Sequence, residues 1–175
     1  MIAIFKREFK SYFINMSGYV FIGVLWLFSG IFATALNLIG QYAAYEYALS
    51  NLVTVLMLIV PILTMRSMSE DRRAKTDMLL YSLPVSSTEV ILGKYFAMLA
   101  VWGVACLGMG ATPVILGMFG AVNFASAYGA LLGFFLLGAA LIAVCTFVSS
   151  LTENQLIAAI LGIASSLGLY LLGSL

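Results

Sequence analysis

The sequence contains no histidine and only two cysteines, Cys106 and Cys145, each inside an apolar stretch. Without histidine no Ser/His/Asp constellation can be assembled, and there is no Cys/His cluster to hold a metal. Two isolated thiols among apolar neighbours read as small buried hydrophobes, and they leave the redox compartment open. Charge is equally scarce. Only 9% of residues are charged and 63% are hydrophobic, against roughly 25% and 45–50% in a soluble domain. Such a chain cannot clothe a soluble core. From 11 to 65 the one charged residue is Glu46, and from 95 to 152 there is none. Ionisable residues in mid-span usually mark ion or proton pathways. Their absence argues against an ion-coupled pump and against a charged cargo held at the midplane. A nucleotide-binding P-loop, G-x-x-x-x-G-K-[ST], is missing too. At the one Gly-Lys pair, Gly93-Lys94, Thr88 takes the place of the first glycine and Tyr95 follows the lysine. No G-x-S-x-G pattern occurs. A membrane-embedded enzyme therefore has no catalytic constellation behind it, and nothing points to nucleic acid.

What is present is a succession of apolar runs long enough to cross lipid, which takes about 20 residues each. The spacing predicts an all-α integral membrane protein with spans over 17–39, 47–65, 90–118, 128–150 and 154–175. Ahead of them, residues 1–16 form an amphipathic segment. Ile2, Phe5, Phe9, Tyr12, Phe13 and Met16 share one helical face, and Lys6, Arg7, Glu8, Lys10 and Ser11 share the other. Such a helix lies in the membrane interface, unless it simply extends the first span. Ala33-Thr34-Ala35 resembles a small-residue cleavage site. The apolar run continues past it, so a retained helix is expected.

Pro61 inside the second run reads as a packing kink or as a hinge, with packing preferred. Prolines of this kind are tolerated where neighbouring helices satisfy the freed carbonyl. Ser86 and Glu89 form a capping pattern, S-x-x-E, ahead of the third run, and Thr152 and Gln155 form a similar one ahead of the fifth. Gly129 and Gly133, and the row Ala158, Gly162 and Ser166, let helices approach closely. Thr34, Asn37, Thr54, Thr112 and Thr146 are expected to hydrogen-bond between helices. Lys94 reads as a residue snorkelling to the interface.

Orientation follows from the basic residues. Lys6, Arg7, Lys10, Arg66, Arg72, Arg73, Lys75 and Lys94 comprise every Lys and Arg, and all fall on one side if the spans alternate. That side is read as cytoplasmic and includes the N-terminus. The 66–88 segment joins spans two and three there. It mixes Arg66, Glu70, Asp71, Arg72, Arg73, Lys75 and Asp77 with Met78, Leu79, Leu80, Tyr81 and Leu83, and its helical composition stops at Pro84. It reads either as a solvated connector that sets topology or as a docking element, with charges giving register and apolar residues acting as anchors.

The run Pro61 to Arg66, then Glu70-Asp71, Thr76, Leu79-Leu80, Leu83-Pro84-Val85 and Gly93-Lys94, resembles the second-to-third-span region of ABC-2-type transporter permeases. The 149–155 stretch, SSLTENQ, resembles the segment before their fifth span. The likeness covers nearly the whole chain and is strongest toward the branch that includes gliding-motility-associated permeases. It implies a single transmembrane permease domain over 1–175 in the plasma membrane of a bacterium. It further implies a separate ATPase subunit that carries ATP and Mg, a second permease copy or paralogue, and a coupling helix in the 66–88 loop. Carried over, Glu70, Asp71, Arg72, Arg73, Thr76, Asp77, Leu79 and Leu80 would face the ATPase. The loop has Lys75-Thr76 where the family often has Gly-Thr, and a sixth span usual in the family is not seen. The expectation is thus an exporter permease without cofactor or catalysis of its own. The alternative is a non-transporting membrane anchoring or assembly subunit.

Overall fold

The computed structural model describes residues 2–40, 44–73, 87–119, 122–152 and 154–174, and among them every regular element is helical. Helix α1 covers Ile2–Ile14. Its phenylalanines, spaced four apart, form a row: Phe5 stacks on Phe9 with ring centroids 5.9 Å apart, Phe9 meets Phe13 at 4.9 Å, and Phe13 meets Tyr19 edge-on at 5.0 Å. This face packs onto the bundle, whereas Lys6, Arg7 and Lys10 on the other face are exposed. Met16 departs from the expected apolar face. It adopts a left-handed conformation, φ 57°, and turns the chain outward from α1. Such a φ is uncommon for a residue with a Cβ.

Helix α2 covers Ser17–Phe32 and runs straight into a π-helical stretch, Ala33–Ile39. There Gly40 N–H reaches back five residues to Ala35 O at 3.0 Å, the wide turn that defines this geometry. Helix α3, Tyr45–Arg73, has 29 residues and is therefore about 43 Å long, against a hydrocarbon core of about 30 Å. It begins before residue 47 and continues past Met65, so the membrane exit does not end the helix. The expected span over 90–118 is matched by one apolar stretch, Thr88–Gly117, which is built from two helices. Helix α4, Ser87–Met109, ends in a turn at Gly110 and Ala111, and α5, Thr112–Gly117, restarts with Pro113 near its N-terminus. Proline is favoured there because its missing N–H would be unpaired anyway. Helix α6, Phe124–Ser150, is capped by Asn123, whose Oδ1 accepts from Ser126 N–H at 3.4 Å. Helix α7 covers Gln155–Ser174. Its cap is Asn154, whose Oδ1 accepts from Leu156 N–H at 3.0 Å, and not the expected Thr152.

Among the described residues, four helical stretches are long and apolar enough to cross a membrane: Ser17–Ile39, Tyr45–Met65, Thr88–Gly117 and Phe124–Ser150. Gln155–Leu171 forms a shorter apolar helix. Helix α3 is the hub, packed against α2, α6 and α7. Its Leu52, Leu56 and Val60 are fully enclosed, together with Leu25 of α2, Met98 and Trp102 of α4, and Ile142 of α6. The outward faces are also apolar: Leu27, Leu107, Leu132, Phe147 and Ile160 are all exposed. A protein surface of this kind is stable only against lipid tails.

Two tryptophans lock the helices by the same device. Trp26 on α2 donates its indole N–H to Ala105 O of α4 at 3.0 Å, and a Cβ on Gly108 would fall inside the indole. Trp102 on α4 donates to Phe135 O of α6 at 3.0 Å, and a Cβ on Gly138 would collide with it. In each pair the carbonyl lies three residues before the glycine, so one helical face offers both the acceptor and the space. The indole N–H has no water to turn to in lipid, so a partner carbonyl is required.

Candidate functional site

Among the described residues, every charged residue but Glu46 lies at the end of the bundle formed by α1, the close of α3 and the start of α4. The residues expected to face a partner divide here. Glu70, Asp71, Arg72 and Arg73 fall on the last turns of α3, an extension of the membrane helix and not a free loop. Residues 66–73 carry it about 12 Å beyond Met65 at 1.5 Å per residue. Thr76, Asp77, Leu79 and Leu80 lie outside the described residues, as does Ser86 of the capping pattern. Helix α4 nonetheless begins directly after it, at Ser87, with Glu89 in the first turn.

Helix α1 is fastened to this end of α4. A Cβ on Gly93 would come within 2.9 Å of Ile4 Cγ2, so the absence of a side chain is what lets α1 lie flush. Arg7 pairs with Glu8 at 3.4 Å. Lys94, next to Gly93, is only 2% exposed. It is therefore enclosed by protein and does not snorkel outward.

The row Ala158, Gly162 and Ser166 on α7 meets α3 at Pro61. Ala158 and Ser166 are buried, and a Cβ on Gly162 would stand 2.9 Å from Pro61 Cβ. Ser166 Oγ donates to Met57 O of α3 at 3.2 Å. Met57 is four residues before Pro61, so its carbonyl is the one the proline leaves without a helical donor. The Thr64 hydroxyl donates within α3 to Val60 O and Pro61 O, each at 3.1 Å. By contrast, side chains built on Gly129 and Gly133 would meet no atom within 4 Å. That pair makes no close approach to the described residues.

The hydrogen bonds between helices come only in part from the residues expected: Thr112 bonds with the Tyr45 side chain of α3, and Asn37 Nδ2 donates to Ala44 O, just ahead of α3, at 3.1 Å. Thr34 and Thr146 donate back to their own helices, at Gly30 O and Ile142 O. Further crossings are made by Trp26, Trp102, Ser166, the Ser29–Tyr45 hydroxyl pair at 3.4 Å, Tyr95 to Ala139 O at 3.3 Å, and Tyr128 to Gly110 O at 3.2 Å. At the opposite end, Glu46 in the first turn of α3 accepts from the Ser126 hydroxyl of α6, a tie that the sequence did not signal. In the 149–155 stretch, the buried Ser149 and Thr152 hydroxyls have no hydrogen-bond partner among the described residues.

Two apolar clefts open on the helix faces. One, of about 490 Å³, lies between α3, α6 and α7 and is lined by Met57, Leu141, Val144, Ser166 and Tyr170 among others. The other, of about 470 Å³, lies between α4 and α6 and is lined by Gly103, Cys106, Leu131 and Tyr128 among others. Among the described residues no group of His, Cys, Asp or Glu could hold a metal ion.

These features define a multi-pass membrane protein whose described charged residues, Glu46 apart, are gathered at one end. Residues 33–175 match the ABC-2 family transporter proteins, and the chain belongs to that family. It is thus a permease subunit of an ABC transporter, a membrane subunit of a kind that implies an ABC ATPase partner. No curated protein and no solved structure matches the chain.

Proposed function

We propose that this chain is the permease half of an ABC exporter in a bacterial plasma membrane, driven by a separate ATPase that binds ATP and Mg. The observation that carries this reading is the unbroken run of α3 from the membrane to Arg73. A partner bound at Glu70, Asp71, Arg72 and Arg73 grips the end of a helix whose other end is buried in the core, and movement at the contact is transmitted as rotation of the hub. Thr76, Asp77, Leu79 and Leu80 complete the docking surface, with the leucines as anchors. The N-terminus and the 66–88 segment lie in the cytoplasm, since every basic residue among the described ones gathers at that end. On this reading α7 makes a fifth crossing. The working unit contains two permeases, as two copies or as a copy and a paralogue, with the cargo path between them. The loop motif, Glu70-Asp71 through Leu83-Pro84-Val85, favours the gliding-motility-associated branch of the family.

The charge-free interior and the apolar clefts suit a lipid, an amphiphile or another largely apolar cargo. The test is reconstitution of the complex with its co-purified ATPase in liposomes containing a fluorescent phospholipid analogue. ATP-dependent movement of the analogue across the bilayer supports the reading and excludes a purely anchoring subunit. ATP hydrolysis with no movement of phospholipid, detergent-like amphiphile or lipid-linked sugar would contradict the cargo class.

A further inference from the structure

The α3–α7 contact contains a one-proton choice. Ser166 Oγ stands 3.2 Å from Met57 O on α3 and 2.9 Å from Ile163 O on its own helix. A hydroxyl has a single proton to donate, so at any moment it serves one carbonyl or the other. Ile163 O belongs to an intact helix. Met57 O is the carbonyl orphaned by Pro61, and in an apolar interior an unpartnered carbonyl is costly. Gly162 sets the register of this contact: it brings α7 against the proline ring, so that 162 faces 61 and 166 faces 57 in an antiparallel pair. Pro61 stands partway along α3. Above it lie the enclosed Leu52, Leu56 and Val60, and below it the helix runs out to Arg73.

We propose that Ser166 is a positioning residue for transport: its hydroxyl latches α7 to the orphaned Met57 carbonyl at the Pro61 joint, and the latch opens and closes as the cytoplasmic end of α3 moves. When the proton swings to Ile163 O, the Met57 carbonyl is released and α3 is free to bend at the proline. When it swings back, the two helices move as one. The functional part rests on the reading of α3 as the element that carries the ATPase's movement.

A cycle of Ser166→Ala, Pro61→Ala and the double variant tests this in the complex as it co-purifies from host membranes, with Ser166→Thr as the conservative variant. Pro61→Ala restores an N–H four residues after Met57 and removes the need for an outside donor. Ser166→Ala alone is expected to lower Tm by roughly 2–5 °C, given a few degrees per kcal/mol for a chain of this size, and to reduce ATP-driven movement of the phospholipid analogue at least fivefold. Ser166→Thr keeps both. The double variant recovers Tm while transport stays low, because the carbonyl is satisfied but the joint is gone. Full recovery of transport in the double variant would show a packing contact only and overturn the proposal. So would an unchanged Tm and transport rate in Ser166→Ala. A wild-type chain that retains no ATPase overturns the coupling reading and the latch's role in it. The Tm cycle still decides separately whether Ser166 serves the Met57 carbonyl.

Discussion

Gly138→Ala on α6 adds one methyl group at a place where the structure leaves no room for it. The new Cβ would fall among the Cε2, Cζ2 and Nε1 atoms of Trp102. Trp102 is fully buried. It is tied by its N–H to Phe135 O at 3.0 Å, and it is flanked by Phe134 at 5.3 Å and Phe21 at 6.3 Å between ring centroids. To restore an ordinary contact the indole must move by about 1 Å, which strains that hydrogen bond or forces α4 and α6 apart. Overpacking of this kind costs about 1–3 kcal/mol. Alanine recovers about 0.5–1 kcal/mol of helix propensity relative to glycine. Net destabilisation is thus on the order of 1–2 kcal/mol, or a fall in Tm of about 2–8 °C. Gly129→Ala and Gly133→Ala, on the same helix, meet no neighbouring atom and keep only the propensity gain, so their Tm stays level or rises. The assay is the thermal loss of the monodisperse peak in detergent, run on the three variants together. If Gly138→Ala melted with Gly129→Ala, the Trp102 lock would be refuted.

Further expectations concern the charged end. Combined Glu70→Lys and Asp71→Lys should weaken retention of the ATPase in a pull-down while leaving Tm within about 0.5 kcal/mol equivalent, as for other surface changes. Replacing Leu79 and Leu80 by alanine should weaken it more, because anchors outweigh rim charges. Gly93→Val should detach α1 from α4, since its Cβ alone would press on Ile4, and should make Phe9 or Phe13 sites newly accessible to a labelled cysteine. An unchanged labelling rate would place α1 elsewhere.

Hydropathy alone located the helices, because lipid demands long apolar runs and little else in the chain competes with that pattern. It did not show where a helix outruns its apolar stretch or breaks within one, because there the decisive term is local backbone chemistry. The second apolar stretch does stop at Met65, where hydropathy drops, and the helix itself continues through 66–73, part of the segment whose composition already read as helical. The break in the third span was signalled by Gly108, Gly110 and Pro113 crowding together, but an unbroken apolar run masked it. Nothing in the composition of residues 33–39 distinguishes π from α geometry. Glycines were read by spacing, which picked Gly162 correctly and Gly129 and Gly133 without effect. What makes a glycine close-packed here is a distant aromatic or proline ring lying over it, and that pairing is not local in sequence. Of the site, the sequence singled out Pro61, Gly162 and Ser166 separately. Only the fold places the Ser166 hydroxyl on the Met57 carbonyl.

The central claim, a permease whose α3 extension and 66–88 segment hold a separate ATPase, is tested most directly by a mild-detergent pull-down of the tagged chain from its own host's membranes, followed by mass spectrometry of what accompanies it. The account predicts a stoichiometric P-loop ATPase that is lost on combined Glu70→Lys and Asp71→Lys substitution. Recovery of no ATPase, under conditions where a known ABC permease retains its own, would contradict it.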